Sequence, residues 1–517
     1  MQVAYSHHEA DQMVSFVVNP GHPPPAGFKE RPRVSSASTA VPNAANASAG
    51  AAQTTPDIQP ARLTAAQYAH NFADAAPRLS RTQALVEAER CLYCFDAPCT
   101  TACPTGIDVP SFIRRIADDN LRGAARVILD ANPLGGTCAR VCPTEVLCEQ
   151  VCVRTTQSGK PVEIGRLQRH AVDAVMGLPL GMLLPREAAT GQRIAVVGAG
   201  PAGLACAVGL ARLGHAVEIF DARPKGGGLN EYGLATYKTT DGFAQAELDW
   251  LLGIGGITLT TGWRLAGPAQ LAALQTEFAA VYLALGLDRV HGLGLPGEHL
   301  AGVQDAVAFI AALRQAADKS TLPIGRRVVV IGGGMTAVDA AVQSKLLGAE
   351  EVHMVYRRGP AEMGASPAEQ DWALTHGVVI HHGLAPEAIL ASAPDTADQA
   401  ADQATDQPAH VVGVRFARQQ PVDGRWQPTG QHQTLAADMV LKAIGQKLDV
   451  SLLAACGLRL QNGRIVADSD GRTGVPGLFA GGDCRLGGRD LTVEAVQDGK
   501  RAARAIHTQL TTDRLTA

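Results

Sequence analysis

The sequence predicts an α/β protein: two Rossmann-like dinucleotide-binding domains, preceded by an α-helical domain built around cysteines. Three observations carry this expectation. Two stretches share one grammar of apolar strand, glycine-rich turn, helix and second strand. No alternating strand pattern precedes the first of them, at Arg193. Eight of the eleven cysteines fall between Cys91 and Cys152. The 517 residues, 46% of them hydrophobic, suffice for three or four domains with their own cores. A net charge of −4 excludes a basic footprint for nucleic acid or an anionic membrane. Glycine, 55 residues in all, exceeds the usual ~7%, as phosphate-cradling loops require.

Residues 1–60 read as a flexible leader. Their Ala, Ser, Pro and Asn cannot bury enough apolar surface to fold alone. The first eighteen residues carry His7, His8, Glu9 and Asp11 where a signal peptide needs a cationic and then an apolar run. No stretch reads as a transmembrane helix, and the expected compartment is the cytoplasm.

Residues 61–188 read as the helical domain. The helical pattern begins near Thr64. Phe112, Ile113, Ile116 and Ala117 recur at helical spacing, and Ala124, Val127 and Ile128 repeat it. Pro161 fits the start of a further helix, with Gln168 about two turns on.

Residues 189–300 and 445–517 form the first nucleotide domain. A buried strand, Ile194 to Val197, leads into Gly198, Gly200 and Gly203, a G-x-G-x-x-G turn, and then an alanine-rich helix to Leu213. The first glycine permits the tight turn, the second lets backbone N–H groups reach a pyrophosphate, and the third lets helix and strand pack closely. Asp221 ends the next strand 23 positions after Gly198, where a carboxylate can accept from a ribose. Residues 301–444 repeat the grammar as Val328 to Ile331, then Gly332, Gly334 and Ala337, then Val352 to Tyr356. Residues 393–409 are a low-complexity insertion, read as a loop of this domain.

The cysteines read as ligands of iron. Their order is Cys91-x2-Cys94-x4-Cys99-x3-Cys103-Pro, then Cys138-x3-Cys142-Pro-x4-Cys148-x3-Cys152. A zinc ribbon shows two separated C-x2-C pairs, whereas this block has one such pair, wider spacings and Cys-Pro twice. That pattern favours [4Fe–4S] clusters. Cys206 and Cys456 read as small core residues. Cys484 receives no role.

Several segments resemble known families. Gly481, Gly482 and Asp483, after the strand Gly477 to Ala480, are similar to the second flavin motif of flavoproteins with two dinucleotide-binding domains. The strand from Val281 to Gly286 is similar to another motif of those proteins. The resemblance implies FAD on the first domain, with Gly228 and Thr492 beside it, and a nicotinamide nucleotide on the second. The cysteine block, with the run around Ile164 to Gln168, resembles the double-cluster domain shared by glutamate synthase small subunits and dihydropyrimidine dehydrogenases. Thr492 to Lys500 (TVEAVQDGK) and Gln168, sixteen residues after Cys152, select the dihydropyrimidine dehydrogenases, specifically the flavin/iron–sulfur subunit of PreT type in the split bacterial enzyme.

That resemblance covers about residues 75–510 and implies one cluster on Cys91, Cys94, Cys99 and Cys152 and another on Cys103, Cys142, Cys148 and Gln168, with Cys138 unligated. It implies that Lys238 faces the reactive edge of the flavin, and that the partner is a subunit carrying FMN and iron–sulfur centres that interconverts uracil or thymine with 5,6-dihydropyrimidines. Arg357, after the strand ending at Tyr356, suits the 2′-phosphate of NADP. Family members that use NADP carry an arginine where Gly364 stands, and the split bacterial enzyme uses NAD. The reading is NAD(H), with NADP(H) left open. The rivals are a glutamate synthase-like NADPH-dependent electron donor and, in another class, a non-catalytic metal-binding scaffold.

Overall fold

The computed structural model describes residues 57–392 and 409–516. Most of the expected leader and all but the last residue of the expected insertion lie outside the described residues.

Two five-stranded parallel sheets dominate. The first runs, in spatial order, Ile257–Thr261, Ala216–Asp221, Arg193–Val197, Ala280–Leu283, Leu478–Ala480. Its inner strands, Arg193–Val197 and Ala280–Leu283, are apolar nearly throughout because both of their faces are covered. Ile194 and Val196 pack with Leu204, Val208 and Val496 on one face, and Ala195 and Val197 with Leu271, Leu274 and Leu453 on the other. The strand's two-residue period thus divides one short segment between two cores.

The second sheet runs Val379–His382, Glu351–Tyr356, Arg327–Ile331, Met439–Lys442, Val303–Asp305. Val328 and Val330 face a helical layer. Val329 and Ile331 face Leu384, Val414 and Phe416 of an antiparallel three-stranded sheet, Leu384–Ala391, Val411–Val422 and Arg425–Ala436. The sequence reading did not foresee this small sheet. It takes the place that helices hold in the first domain.

The helical domain buries Phe112, Ile113 and Ile116 of helix Val109–Ala117 against Ile128 and Leu167. Each such side chain is worth ~1.5–3 kcal/mol. Local signals set the helix starts: Ser80 and Gln83 form a capping box, and Asp108 accepts from the Ser111 amide at 3.1 Å.

Three expectations need correction. Strand character appears before Arg193, since Ile58–Gln59, assigned to the leader, pairs with Ile324–Gly325. Helix Ala65–Asn71, started by a Thr64/Gln67 capping box, places Tyr68 and the following Phe72 in the core of the second nucleotide domain. Its apolar face finds that core because Asn71 also donates to the Leu346 carbonyl at 3.0 Å. The helix bearing Gln168 spans Ile164–Asp173, so Pro161 stands outside it and Gln168 lies little more than one turn from its start. The segment ahead of it is held extended by Arg90, which donates to the Pro161 carbonyl at 2.7 Å.

Candidate redox site

The two glycine turns are built alike. Gly198 has φ +111°, and a Cβ there would collide with the Ala284 carbonyl at the end of the neighbouring strand. Gly332 has φ +152° and meets the Ala443 carbonyl in the same way. In both, only glycine lets the turn lie against the adjacent strand end. Gly200 and Gly334 are the N-caps of helices Pro201–Arg212 and Met335–Leu346, leaving amides and the positive end of each helix free for a pyrophosphate. Ala337 is fully buried in the first turn of the second helix.

Around the first turn the structure gathers the other expected residues. A Cβ on Gly228, at φ +56°, would lie 2.7 Å from Cα of Gly200, so the two backbones close on each other. Asp221 accepts from the amides of Ala199 at 2.7 Å and Arg223 at 2.8 Å. Thr492 donates to the Asn230 side-chain oxygen at 3.0 Å, and Gly286 ends the strand's turn at φ +62°. Gly482, at φ +73°, faces Ala202 in the helix after the turn. Asp483 makes no hydrogen bond among the described residues, and burial pushes its carboxyl up to about 7. Arg464, whose charge acts on Asp483, has a buried Nη1 without a partner. A half-buried acid and an orphaned guanidinium nitrogen beside a glycine cradle suit a polar, phosphate-bearing cofactor.

At the second turn, Gly334 has open space where a Cβ would stand, and Ala365 donates to the Gly333 carbonyl at 3.0 Å. Arg357 is exposed at the end of strand Glu351–Tyr356. Lys238, expected at the flavin, reaches across to this domain. Its Nζ lies 2.8 Å from both Asp339 and Glu369. Burial disfavours its charge most strongly, yet the two carboxylates hold the ammonium well above the ordinary lysine range. Burial raises the Glu369 carboxyl, and its Oε2 is without a partner. Ser366, the N-cap of helix Pro367–Thr375 that carries Glu369, donates to Glu145 of the cysteine domain at 2.5 Å.

Cys91, Cys99, Cys103, Cys148 and Cys152 all pack against the core of the helical domain. Cys91, Cys94, Cys99 and Cys152 line one cavity, walled by Val109, Ile113, Val162 and Ile164. Burial pushes the Cys99 thiol up to about 11, so thiolates there need a compensating cation, as iron provides. Cys103, Cys142 and Cys148 lie within charge reach of one another, Cys99 also acts on Cys148, and burial raises the Cys148 thiol. Cys138 is buried and hydrogen bonds with Cys142. Gln168 is 7% exposed and donates its amide to the Gly135 carbonyl at 2.7 Å, at the head of the helix that ends before Cys142. With the NH2 engaged, Oε1 is the atom left to ligate. The first set fits a cubane cluster in number and chemistry, and the second would fit one only with Gln168 as its fourth ligand.

Sequence reasoning missed the groups that join these sites. Glu247 of helix Phe243–Leu252 accepts from the amide and hydroxyl of Thr137, in the first turn of helix Gly135–Val141. Arg140 stacks over Phe243 at 3.4 Å and pairs with Asp173 at 2.9 Å. Asp339, Glu369 and Lys500 were likewise unseen. No local periodicity marks contacts between residues so far apart in the chain.

Comparisons with known proteins agree with this layout. Residues 68–178 match the family described as dihydropyrimidine dehydrogenase domain II, 4Fe-4S cluster. Residues 192–499 match the pyridine nucleotide-disulphide oxidoreductase family. The NAD-dependent dihydropyrimidine dehydrogenase subunit PreT of Salmonella typhimurium is 33% identical over 83% of this chain and 95% of its own length. The NADP(+)-dependent formate dehydrogenase subunit beta of Moorella thermoacetica is 32% identical over 79% of this chain and 59% of its own length. FprA of Mycobacterium tuberculosis, solved with NADPH, shares the fold at 18% identity and TM-score 0.50, over 63% of this chain and 86% of FprA. Among the described residues no helix is long and apolar enough to cross a membrane. With an iron–sulfur domain followed by a flavin- and NAD(P)-binding oxidoreductase unit, and with a 33% identical relative matched along nearly its whole length, the chain belongs to the PreT family of dihydropyrimidine dehydrogenase electron-transfer subunits.

Proposed function

We propose that this chain is the electron-input subunit of a cytoplasmic dihydropyrimidine dehydrogenase. It exchanges electrons between NAD(H), FAD, two [4Fe–4S] clusters and a partner subunit containing FMN and iron–sulfur centres, where uracil or thymine and 5,6-dihydropyrimidines interconvert. The observation that supports this best is the pairing of two like nucleotide turns with two cysteine sets in one chain, aligned with 95% of the PreT subunit.

When bound, FAD would take up the electron pair of one hydride and release it as two single electrons, which the clusters would carry one at a time. The protein's part is to hold and insulate. Gly198, Gly200 and Gly203 and the helix behind them receive one pyrophosphate, with Asp221 for the ribose and Gly228, Gly286, Gly482, Asp483 and Thr492 completing the cradle. Gly332, Gly334 and Ala337 receive the other, with Arg357 at the adenosine end. Cys91, Cys94, Cys99 and Cys152 hold one cluster, and Cys103, Cys142, Cys148 and Gln168 the other. Lys238, fixed by Asp339 and Glu369, keeps a cation at the junction of the nucleotide domains, toward the flavin.

The same input unit serving another acceptor is a second reading, favoured by the similarity to a formate dehydrogenase subunit. The test is anaerobic purification with the native partner. The complex should contain FAD, FMN and iron and reduce uracil with NADH, while the chain alone reduces artificial acceptors only. Uracil reduction by the chain alone, or a co-purifying partner without FMN, would overturn the proposal.

A further inference from the structure

Helix Thr492–Thr516 touches two redox sites through residues two positions apart. Asp498 faces the flavin loop. It accepts from the Gly482 amide at 3.0 Å, next to Asp483, and pairs with Arg485 at 3.0 Å. Lys500 faces the cysteine domain. Its Nζ donates to the Thr105 carbonyl at 3.1 Å and to the Ala131 carbonyl. Thr105 is buried, and its hydroxyl lies 3.3 Å from the Cys103 sulfur. Once Cys103 is a thiolate, that hydroxyl can only donate to it.

Lys500 is also an uncompensated charge. Among the described residues no carboxylate lies within ion-pair distance of it. Arg501, Arg504 and Arg212 repel it, and the Cys103 sulfur attracts it when ionised. The helix cannot slide to relieve this. A Cβ on Gly499 would strike the Ala202 carbonyl, so the helix is seated against helix Pro201–Arg212 at the point where Lys500 leaves it. A half-buried cation nearby and a hydroxyl donor on one ligand sulfur both stabilise the extra negative charge of a reduced cluster.

We propose that Lys500 is a positioning residue that ties the flavin-loop helix to the Cys103 cluster and raises that cluster's reduction potential. This rests on the assignment of a second cluster to Cys103, Cys142, Cys148 and Gln168. Thr105 is its companion, acting on the same sulfur. Among the described residues no hydrogen bond or ion pair joins Lys500 to Cys91, Cys94, Cys99 or Cys152, so that set is the internal control.

The test is an EPR-monitored redox titration of the full chain, reconstituted anaerobically, with iron and flavin counted in each sample. The variants are Lys500→Gln, Lys500→Arg and Thr105→Val. In Lys500→Gln one cluster should become harder to reduce by on the order of tenfold, which is ~59 mV for one electron. The other cluster and the flavin content should stay at wild-type values. Lys500→Arg should restore the potential, which a merely structural lysine would not require. The transition that moves must also be the one that responds to Gln168→Cys. If Lys500→Gln does not load with iron, Thr105→Val decides, and a selective drop in the same transition supports the proposal. Unchanged potentials in Lys500→Gln and Thr105→Val, or equal shifts of both clusters, overturn it. A wild-type chain with about four irons and no cluster on Cys103 overturns it together with the two-cluster assignment, and the iron count tells the two failures apart.

Discussion

Glu247→Gln should remove a pH dependence from the docking of the cysteine domain on the first nucleotide domain. Glu247 is 2% exposed, and both of its oxygens serve Thr137. Burial pushes its carboxyl from 4.5 up to about 7, while the Thr137 hydrogen bonds and Arg140 pull it down by less. A carboxyl whose folded pKa lies above its unfolded one binds an extra proton in the folded state. Its contribution is therefore most favourable below about pH 4.5, falls as pH rises to about 7, and is level above that. At ~1.36 kcal/mol per pH unit, that interval is worth about 3 kcal/mol. Glutamine keeps an acceptor for Thr137 and cannot ionise. Hydrogen exchange of the amides in helix Gly135–Val141, compared between variant and wild type at the same pH, cancels the intrinsic chemistry of exchange. The ratio of protection, variant over wild type, should grow by roughly a hundredfold from pH 5 to pH 8. An equal ratio at both pH values would show that Glu247 is ionised throughout, and the reasoning from burial would fail.

Gly198→Ala should retain flavin at least about tenfold more weakly, since positive φ and the Ala284 carbonyl both oppose a methyl group; the flavin-to-protein ratio after gel filtration checks it. Lys238→Met should destabilise the junction of the nucleotide domains by ~3–5 kcal/mol, because Asp339 and Glu369 lose their cation. The loss should be smaller at pH 5.5 than at pH 8, as protonation of Glu369 relieves it, and denaturant unfolding followed by Trp fluorescence reads both. Gln168→Cys should keep eight irons, roughly, and lower one cluster's potential, while Gln168→Leu should make one iron labile. Iron content and EPR titration decide, and two variants indistinguishable from wild type would leave Gln168 an ordinary buried glutamine.

The parts legible in the sequence were those fixed by short-range constraints. Gly198 and Gly332 announce themselves because only glycine fits a positive φ against a neighbouring carbonyl. The central parallel strands announce themselves because burial on both faces leaves unbroken apolar runs such as residues 194–197. Cysteine spacing pointed to iron, and the family resemblance implied the set Cys91, Cys94, Cys99 and Cys152 that the structure brings to one cavity. The three-stranded sheet was missed because Val411–Val422 buries both odd and even positions near its middle, blurring the two-residue period. Thr64 and Gln67 reveal a helix start, but nothing in them says that Tyr68 will enter the core of a domain formed by residues past 300. Likewise Lys238 reads as basic, whereas its two carboxylates lie 101 and 131 residues onward.

The last strand of the first parallel sheet, Leu478–Ala480, comes from beyond the entire second nucleotide domain. Synthesis therefore imposes a timetable on cofactor loading. All eight expected iron ligands have been made by residue 168, but Gly482 follows 314 residues later. At ~5–20 residues per second, the interval is roughly 15–60 s. During it the ribosome carries a chain whose flavin cradle lacks one wall, so iron can be received on the nascent chain while flavin cannot be gripped until synthesis is nearly done. A cell short of riboflavin should thus accumulate this protein brown but not yellow, with its clusters in place and its flavin site waiting.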